Sequence, residues 1–468
     1  MNNFDNYIPS TKNKTYSSNF NVIFRDPQNY EFVYFYPPAK CLEAIEPENI
    51  FNTTNHQLLK VFRPFLYFHL PFCTGKCTYC HYTRWTCFKS NLSLVEDYLS
   101  ALRNEVKLLK RLILFDNNII DVMHFGGGTP TFLNQDQIKS FMDFIYSQFI
   151  VSGNREITWE SSPETILLNN GSKLSALLES GVNRLNIGIQ SFDDSLLRIM
   201  GRRHRAIDSI KAIHTAREKG FKNINIDLIY GLPDQTINQW INTLDIVGTL
   251  LPESVTIYQL RIKPGTPMSR IEWSRFPSKK ICYEMGNLMI DKLEEFGYIS
   301  WQPNQFVLNS NYSHRYLKSK WERQTEIVGF GVSAYSYIND FMYINHRYLN
   351  DYYEHIKSGR LPIFIGKKLT IEQKIAKTVV LGIKILPQGL DKKKFFDLYG
   401  LTLEDIYGSI ISNLEEIGVI DSTADYLRLT RKGLLFADEI CTEFYTNSDK
   451  NTLKQLGATI YGSYLDPC

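Results

Sequence analysis

The chain has 468 residues, with 52 Lys and Arg against 49 Asp and Glu for a formal charge of +3. That length exceeds one ordinary domain, and so small a charge excludes bulk attraction to nucleic acid or an anionic membrane as an organising feature. The polar opening Met1-Asn-Asn-Phe-Asp-Asn-Tyr7, without a basic stretch followed by an apolar run, lacks the form of a secretory signal, and no apolar run approaches a membrane span of roughly 18–20 residues, so a soluble cytoplasmic protein is expected.

In chain order, residues 1–60 are rich in Asn, Pro and aromatics without sustained periodicity and read as an extended arm. Short apolar or β-branched runs then recur at Phe65–Leu70, Ile120–Phe125, Glu156–Ser161, Arg184–Ile189, Asn223–Ile229 and Ser254–Leu260. Between and after them lie segments with apolar residues at three- and four-residue spacing: Leu94–Ile113, Gln135–Phe149, Lys173–Glu179, Ala206–Lys219 and Gln239–Leu250. Alternating strand and helix predicts parallel strands with right-handed crossovers. The fold class expected for 61–300 is therefore α/β, an α/β barrel or a doubly wound sheet, and six units suit a partial (β/α)6 barrel. After a helix at Lys279–Glu295 the rhythm ends, and 301–366 reads as a substrate-side extension. The span 367–468 reads as a helical or winged-helix-like lobe, with helices near Ile371–Gly382, Lys392–Leu398, Leu403–Ile417 and Lys432–Phe444 and a strand at Leu427–Leu429.

The chain has eight cysteines, four of them within the fifteen residues 73–87. A secreted disulfide scaffold would be short and spread its cysteines out, so a metal or cofactor site in a reducing compartment fits better. Cys73, Cys77 and Cys80 stand in C-x3-C-x2-C spacing directly after the first predicted strand, where βα loops form the active face of an α/β barrel. Cubane clusters ordinarily take four cysteines, so three leave one iron open. Zinc on the triplet plus His81 is the alternative, although adjacent ligands such as Cys80 and His81 turn awkwardly toward one ion.

This triplet resembles the defining motif of the radical S-adenosylmethionine (radical SAM) enzymes, and further motifs resemble the branch typified by oxygen-independent coproporphyrinogen III dehydrogenase (HemN-like). The resemblance covers roughly residues 30–340 and, more loosely, Leu427–Gly433. It implies a 4Fe–4S cluster on Cys73, Cys77 and Cys80, with one S-adenosylmethionine chelated to the open iron and cleaved to a 5′-deoxyadenosyl radical. A second S-adenosylmethionine belongs to some members of the branch. The glycines of His124-Phe-Gly-Gly-Gly-Thr-Pro-Thr131, namely Gly126, Gly127 and Gly128 with Thr129, match the motif that receives the methionine amino group. Glu160 matches the glutamate that holds the methionine ammonium, though Ser162 stands where Asn or Asp usually precedes the proline. Tyr67, Gln190, Arg202 and Asp227 match further cofactor contacts by position. His69 and His124, on apolar strands, read as satisfied inner histidines, and Gly329–Ser336 as a segment that lines the substrate side or a buried strand of small residues.

The branch's porphyrinogen enzymes carry a fourth cysteine two residues after the third. Here Tyr82 takes that position, and Cys87 falls at the wrong spacing to replace it. The expectation from this departure is a class C methyltransferase-like enzyme doing C–C bond chemistry on a small or macrocyclic substrate. The alternatives are oxidative decarboxylation in porphyrin biosynthesis and haem carriage. The resemblance further implies an electron donor such as flavodoxin or ferredoxin, a monomer, and no nucleic-acid or membrane partner.

Overall fold

The computed structural model describes residues 33–51, 59–61, 64–86, 92–115, 119–322 and 326–456. Most of the expected arm, and with it Cys87 and Cys468, lies outside the described residues. Two compact units result, one from 42–299 and 305–369, the other from 33–41, 300–304 and 370–456.

The larger unit is built on a sheet whose middle is parallel. Its strands are β1 (Phe65–Leu70), β2 (Ile119–Gly127), β3 (Ile150–Ser161), β4 (Arg184–Gln190), β5 (Ile224–Tyr230) and β6 (Ser254–Gln259), hydrogen-bonded in that order. All six expected strands form, because each is an apolar run covered on one face by its crossover helix. In β1 every residue but Tyr67 is buried. The helices α1 (Leu92–Lys110), α2 (Gln135–Gln148), α3 (Ser172–Glu179), α4 (Asp194–Ile199), α5 (Ala206–Lys219) and α6 (Ile237–Leu250) follow in the crossovers. Their starts are set by side chains that take orphan backbone amides: Asn134 and Gln137 form a reciprocal capping box before α2, and Thr236 and Gln239 another before α6.

Beyond the six lies a seventh parallel strand, β7 (Ile327–Phe330), which pairs with β1 from Ile327 opposite Phe65 to Phe330 opposite Phe68. A six-unit count missed it because four residues carry little periodicity. Helix α7 (Lys279–Glu295) matches its expected bounds, and α8 (Arg315–Glu322) supplies the crossover into β7. The sheet continues antiparallel through β8 (Tyr335–Ile338), β9 (Phe341–Asn345) and β10 (Ile363–Lys368), with α9 (Leu349–Lys357) between the last two. The hydrogen-bonded order is open at both ends.

In the smaller unit, helices Ile371–Gly382, Lys392–Tyr399 and Leu403–Glu416 accompany a three-stranded sheet of Leu390–Asp391, Tyr426–Leu429 and Ile420–Ser422. The single helix expected over Lys432–Phe444 is two, Arg431–Leu434 and Ala437–Glu443, because the backbone leaves helical geometry at Phe436 (φ −121°). No helix among the described residues is long and apolar enough to cross a membrane.

Candidate active site

The C-terminal ends of β1 to β5 carry the candidate residues. The triplet loop leaves β1 through Pro71, and Phe72–Cys73 pairs in parallel with Trp85–Thr86, closing the loop on itself. The Trp85 N–H donates to Pro71 O at 2.6 Å. Two neighbouring segments hold the loop from outside, the C-terminal end of α4 and the turn Pro267–Arg270. Thr78 donates its N–H to Met200 O (3.0 Å) and its hydroxyl to Ile199 O (2.9 Å), while Met268 N–H donates to Thr78 O (2.9 Å). Arg84, which sequence reasoning passed over, donates to the carbonyls of Cys80 (2.9 Å) and Tyr82 (3.1 Å).

The first two cysteines of the triplet have polar partners. The Thr129 hydroxyl lies 3.6 Å from Cys73 Sγ, and the Arg202 guanidinium donates to Cys77 Sγ at 3.3 Å and to Gly188 O at 2.6 Å. Burial pushes the Cys73 thiol up to about 12 and raises Cys80 as well, with Arg84 pulling Cys80 back. Metal uptake must therefore displace protons from thiols. Among the described residues no three His, Cys, Asp or Glu side chains group so as to hold a metal ion. A tetrahedral zinc needs donors within roughly 2.0–2.3 Å of one point, whereas the thiolates of a cubane each meet a different iron.

The glycine segment fits its neighbours because side chains are missing. A Cβ on Gly128 would stand 2.7 Å from Phe72 O and 2.8 Å from Phe72 N, and Gly127 takes φ +106° with a Cβ position 2.6 Å from the His69 ring. Only glycine lets β2 run this close to the root of the triplet loop. The Gly127 N–H donates to Glu160 Oε2 (3.2 Å), and His124 Nε2 lies 2.9 Å from Glu160 Oε1. Both carboxylate oxygens are thus held, and the side chain keeps 35% of its surface exposed.

Tyr67 stacks on the His124 ring at 5.8 Å, and its hydroxyl lies 3.0 Å from His69 Nδ1. His69 is satisfied as expected, its Nε2 being 3.0 Å from Thr83 O. His124 is only half satisfied, since its buried Nδ1 has no partner among the described residues. Gln190 closes β4 with φ +75°, a left-handed conformation that a non-glycine residue adopts at a cost. Asp227 accepts from Asn225 Nδ2 (2.8 Å), and burial, helped by the Glu160 charge, raises its carboxyl to about 7. The structure therefore brings Tyr67, Gly126 to Gly128, Thr129, Glu160, Gln190, Arg202 and Asp227 to the same strand ends as the triplet.

Several residues at this site carry no motif. His314 lies 3.2 Å from the Thr158 hydroxyl, Tyr316 stacks on His124 at 5.0 Å, and the Tyr316 and Tyr335 hydroxyls are 3.1 Å apart. Helix α8 thus closes the inner side of the sheet, a role its sequence does not announce. Glu164 receives the Thr74 hydroxyl at 3.3 Å and faces His204 Nδ1 at 3.2 Å; burial opposes its ionisation, but His204 and Arg202 hold the carboxyl down to about 2.

Comparison with known proteins gives three findings. The model of the radical SAM superfamily matches residues 67–247, and that of the HemN C-terminal domain matches 369–436. The chain is 29% identical over 382 residues to the heme chaperone HemW of Bacillus subtilis, covering 81% of this chain and 98% of that protein. It is 27% identical over 401 residues to the oxygen-independent coproporphyrinogen III oxidase of Escherichia coli, covering 81% and 85%. The solved structure of the coproporphyrinogen III oxidase HemN from Escherichia coli, a radical SAM enzyme, superposes with a TM-score of 0.77 at 25% identity, covering 90% of this chain and all of that one.

Proposed function

This chain belongs to the radical SAM superfamily, in its HemN-like branch, and from that premise we propose that it performs radical chemistry on a tetrapyrrole. The observation that carries the reading is the likeness over nearly the whole length of relatives named for coproporphyrinogen III and heme. These relatives support the tetrapyrrole alternative better than the methyl-transfer expectation drawn from Tyr82.

The family uses a 4Fe–4S cluster and S-adenosylmethionine. The residues present fit both. Three thiols share one loop, with a hydroxyl beside Cys73 and a guanidinium beside Cys77, and the Gly126–Gly128 backbone lies open of Cβ atoms beside a held carboxylate. Cys73, Cys77 and Cys80 would hold the cluster, and Glu160 the methionine ammonium. Tyr67, Gly126 to Gly128, Thr129, Gln190, Arg202 and Asp227 would surround the rest of the cofactor. When bound and reduced, the cluster supplies the electron that cleaves S-adenosylmethionine to methionine and a 5′-deoxyadenosyl radical. His124 keeps Glu160 aimed, and the aromatic layer of Tyr67, Tyr316 and Tyr335 excludes water from beneath it. An external reductant, such as flavodoxin or ferredoxin, belongs to this reading.

Haem carriage is the second reading, favoured by the match to 98% of HemW and by Tyr82 at the fourth-cysteine position. Anaerobic reconstitution followed by chromatography separates the two. An enzyme forms 5′-deoxyadenosine in amounts that rise with added coproporphyrinogen III or haem. A carrier binds haem and forms none above background. Absence of both responses overturns the tetrapyrrole assignment, and S-adenosylhomocysteine among the products would return methylation to first place.

A further inference from the structure

Glu105 lies in α1 with 2% of its surface exposed. Burial pushes its carboxyl up to about 7, against the hydrogen bonds that favour its charge. The Tyr352 hydroxyl (2.6 Å) and the Gly331 N–H (2.7 Å) donate to one oxygen, and Asn345 Nδ2 (2.6 Å) donates to the other. These three partners are neutral, so the acid is buried without a cation against it, an expensive arrangement for a fold that needs only to fill space. A carboxylate contributes what no amide can, two acceptor oxygens and no donor, so it alone receives three donors arriving from two sides.

Those donors come from the end of β7, the end of β9 and α9, and together they fix the turn Gly331–Ser333. Gly331 has φ +97°, and a Cβ there would stand 2.3 Å from Tyr98 Oη and 2.8 Å from His69 O. The Val332 N–H donates to Tyr98 Oη (3.1 Å), whose hydroxyl donates to His69 O (2.7 Å). Asn345 Nδ2 also donates to Gly331 O (2.9 Å). At the far side of the turn, Ser333 Oγ lies 2.7 Å from Thr83 Oγ1. Thr83 follows Cys80 by three residues and precedes the Trp85–Thr86 pairing that closes the triplet loop. A continuous line of contacts therefore runs from a sealed carboxylate to the loop of the three cysteines.

We propose that Glu105 is a positioning residue for the triplet loop, holding the Gly331–Ser333 turn against Thr83 and, through Thr83, the returning arm that pairs with Phe72–Cys73. The functional meaning of that loop rests on the cluster reading above; the contact line itself does not, so the test is made on the full chain without metal. Amide hydrogen exchange is measured by peptide for 331–336 and for 80–86, whose reporter is the Trp85 amide bonded to Pro71 O. Glu105→Gln raises exchange about tenfold or more in both segments, Ser333→Ala raises it in 80–86 while leaving the Gly331 amide protected, and the double variant adds nothing further in 80–86. Should Glu105→Gln fail to fold, Tyr352→Phe removes one donor and produces the same pattern at smaller size. Unchanged protection of 80–86 in Glu105→Gln or Tyr352→Phe overturns the proposal, as does additive exchange in the double variant. A chain that shows the coupling but binds no iron on reconstitution keeps the positioning role and loses the cluster reading, so the two failures are told apart.

Discussion

The strand ends around the triplet and the lobe of residues 370–456 handle buried polar groups in opposite ways. In the lobe, two buried charges are met within the chain. Lys384, 5% exposed, meets Asp438 and donates to Val33 O at 3.1 Å, and Asp449 receives Gln373 Nε2 at 2.9 Å and the Thr446 hydroxyl at 2.8 Å. Around the triplet, His124 Nδ1, Asn186 Oδ1 and Arg202 Nε are buried with no partner among the described residues, and Gln190 adopts a left-handed backbone. Buried polar atoms cost stability unless something satisfies them. The contrast is between lobe charges that meet partners within the chain and atoms around the triplet that meet none among the described residues.

The strongest way to break this contrast is to remove a donor from the triplet. Cys77→Ser is expected to abolish cluster assembly, read as loss of bound iron and of the absorbance near 400 nm, while the apo chain stays folded by circular dichroism. Retained iron at wild-type level would show that the triplet is not the cluster site. In the lobe the corresponding loss is stability. Asp438→Ala removes the carboxylate that the buried Lys384 ammonium meets, at about 3–5 kcal/mol, measured by urea denaturation, and iron content is expected to hold in native conditions. A smaller effect sharpens the picture at the strand ends. His124→Phe keeps the aromatic layer but frees Glu160 Oε1, and loss of one charge-assisted hydrogen bond of about 1.5–3 kcal/mol predicts S-adenosylmethionine binding weaker by roughly ten- to a hundredfold. Calorimetry on the anaerobically reconstituted protein reads it, and unchanged affinity would reduce His124 to core packing.

Much of this is legible in the sequence. The cysteine spacing, the glycine run and the βα rhythm are local in sequence, and local patterns are what a sequence displays. Glu160 and Asp227 stand out by their match to the family's motifs, each on a predicted strand. Tyr316 and Tyr335 do not, because their importance comes from α8 and β8 being brought against Tyr67 of β1 across more than two hundred residues. Glu105 was invisible for the same reason, a charged residue in a helix whose pattern gives no hint that it faces Gly331 rather than water.

The sequence by itself determined the chemistry available: three thiols on a loop after a strand, glycines where a backbone must approach closely, and carboxylates at neighbouring strand ends. These follow from residue type and spacing along a few dozen positions. Tertiary structure alone decided which polar atoms remain unsatisfied, which helix closes the inner face, and how a buried carboxylate reaches the loop of Cys73, Cys77 and Cys80. Satisfaction and burial are properties of distant segments packed together, and no window along the chain contains both partners.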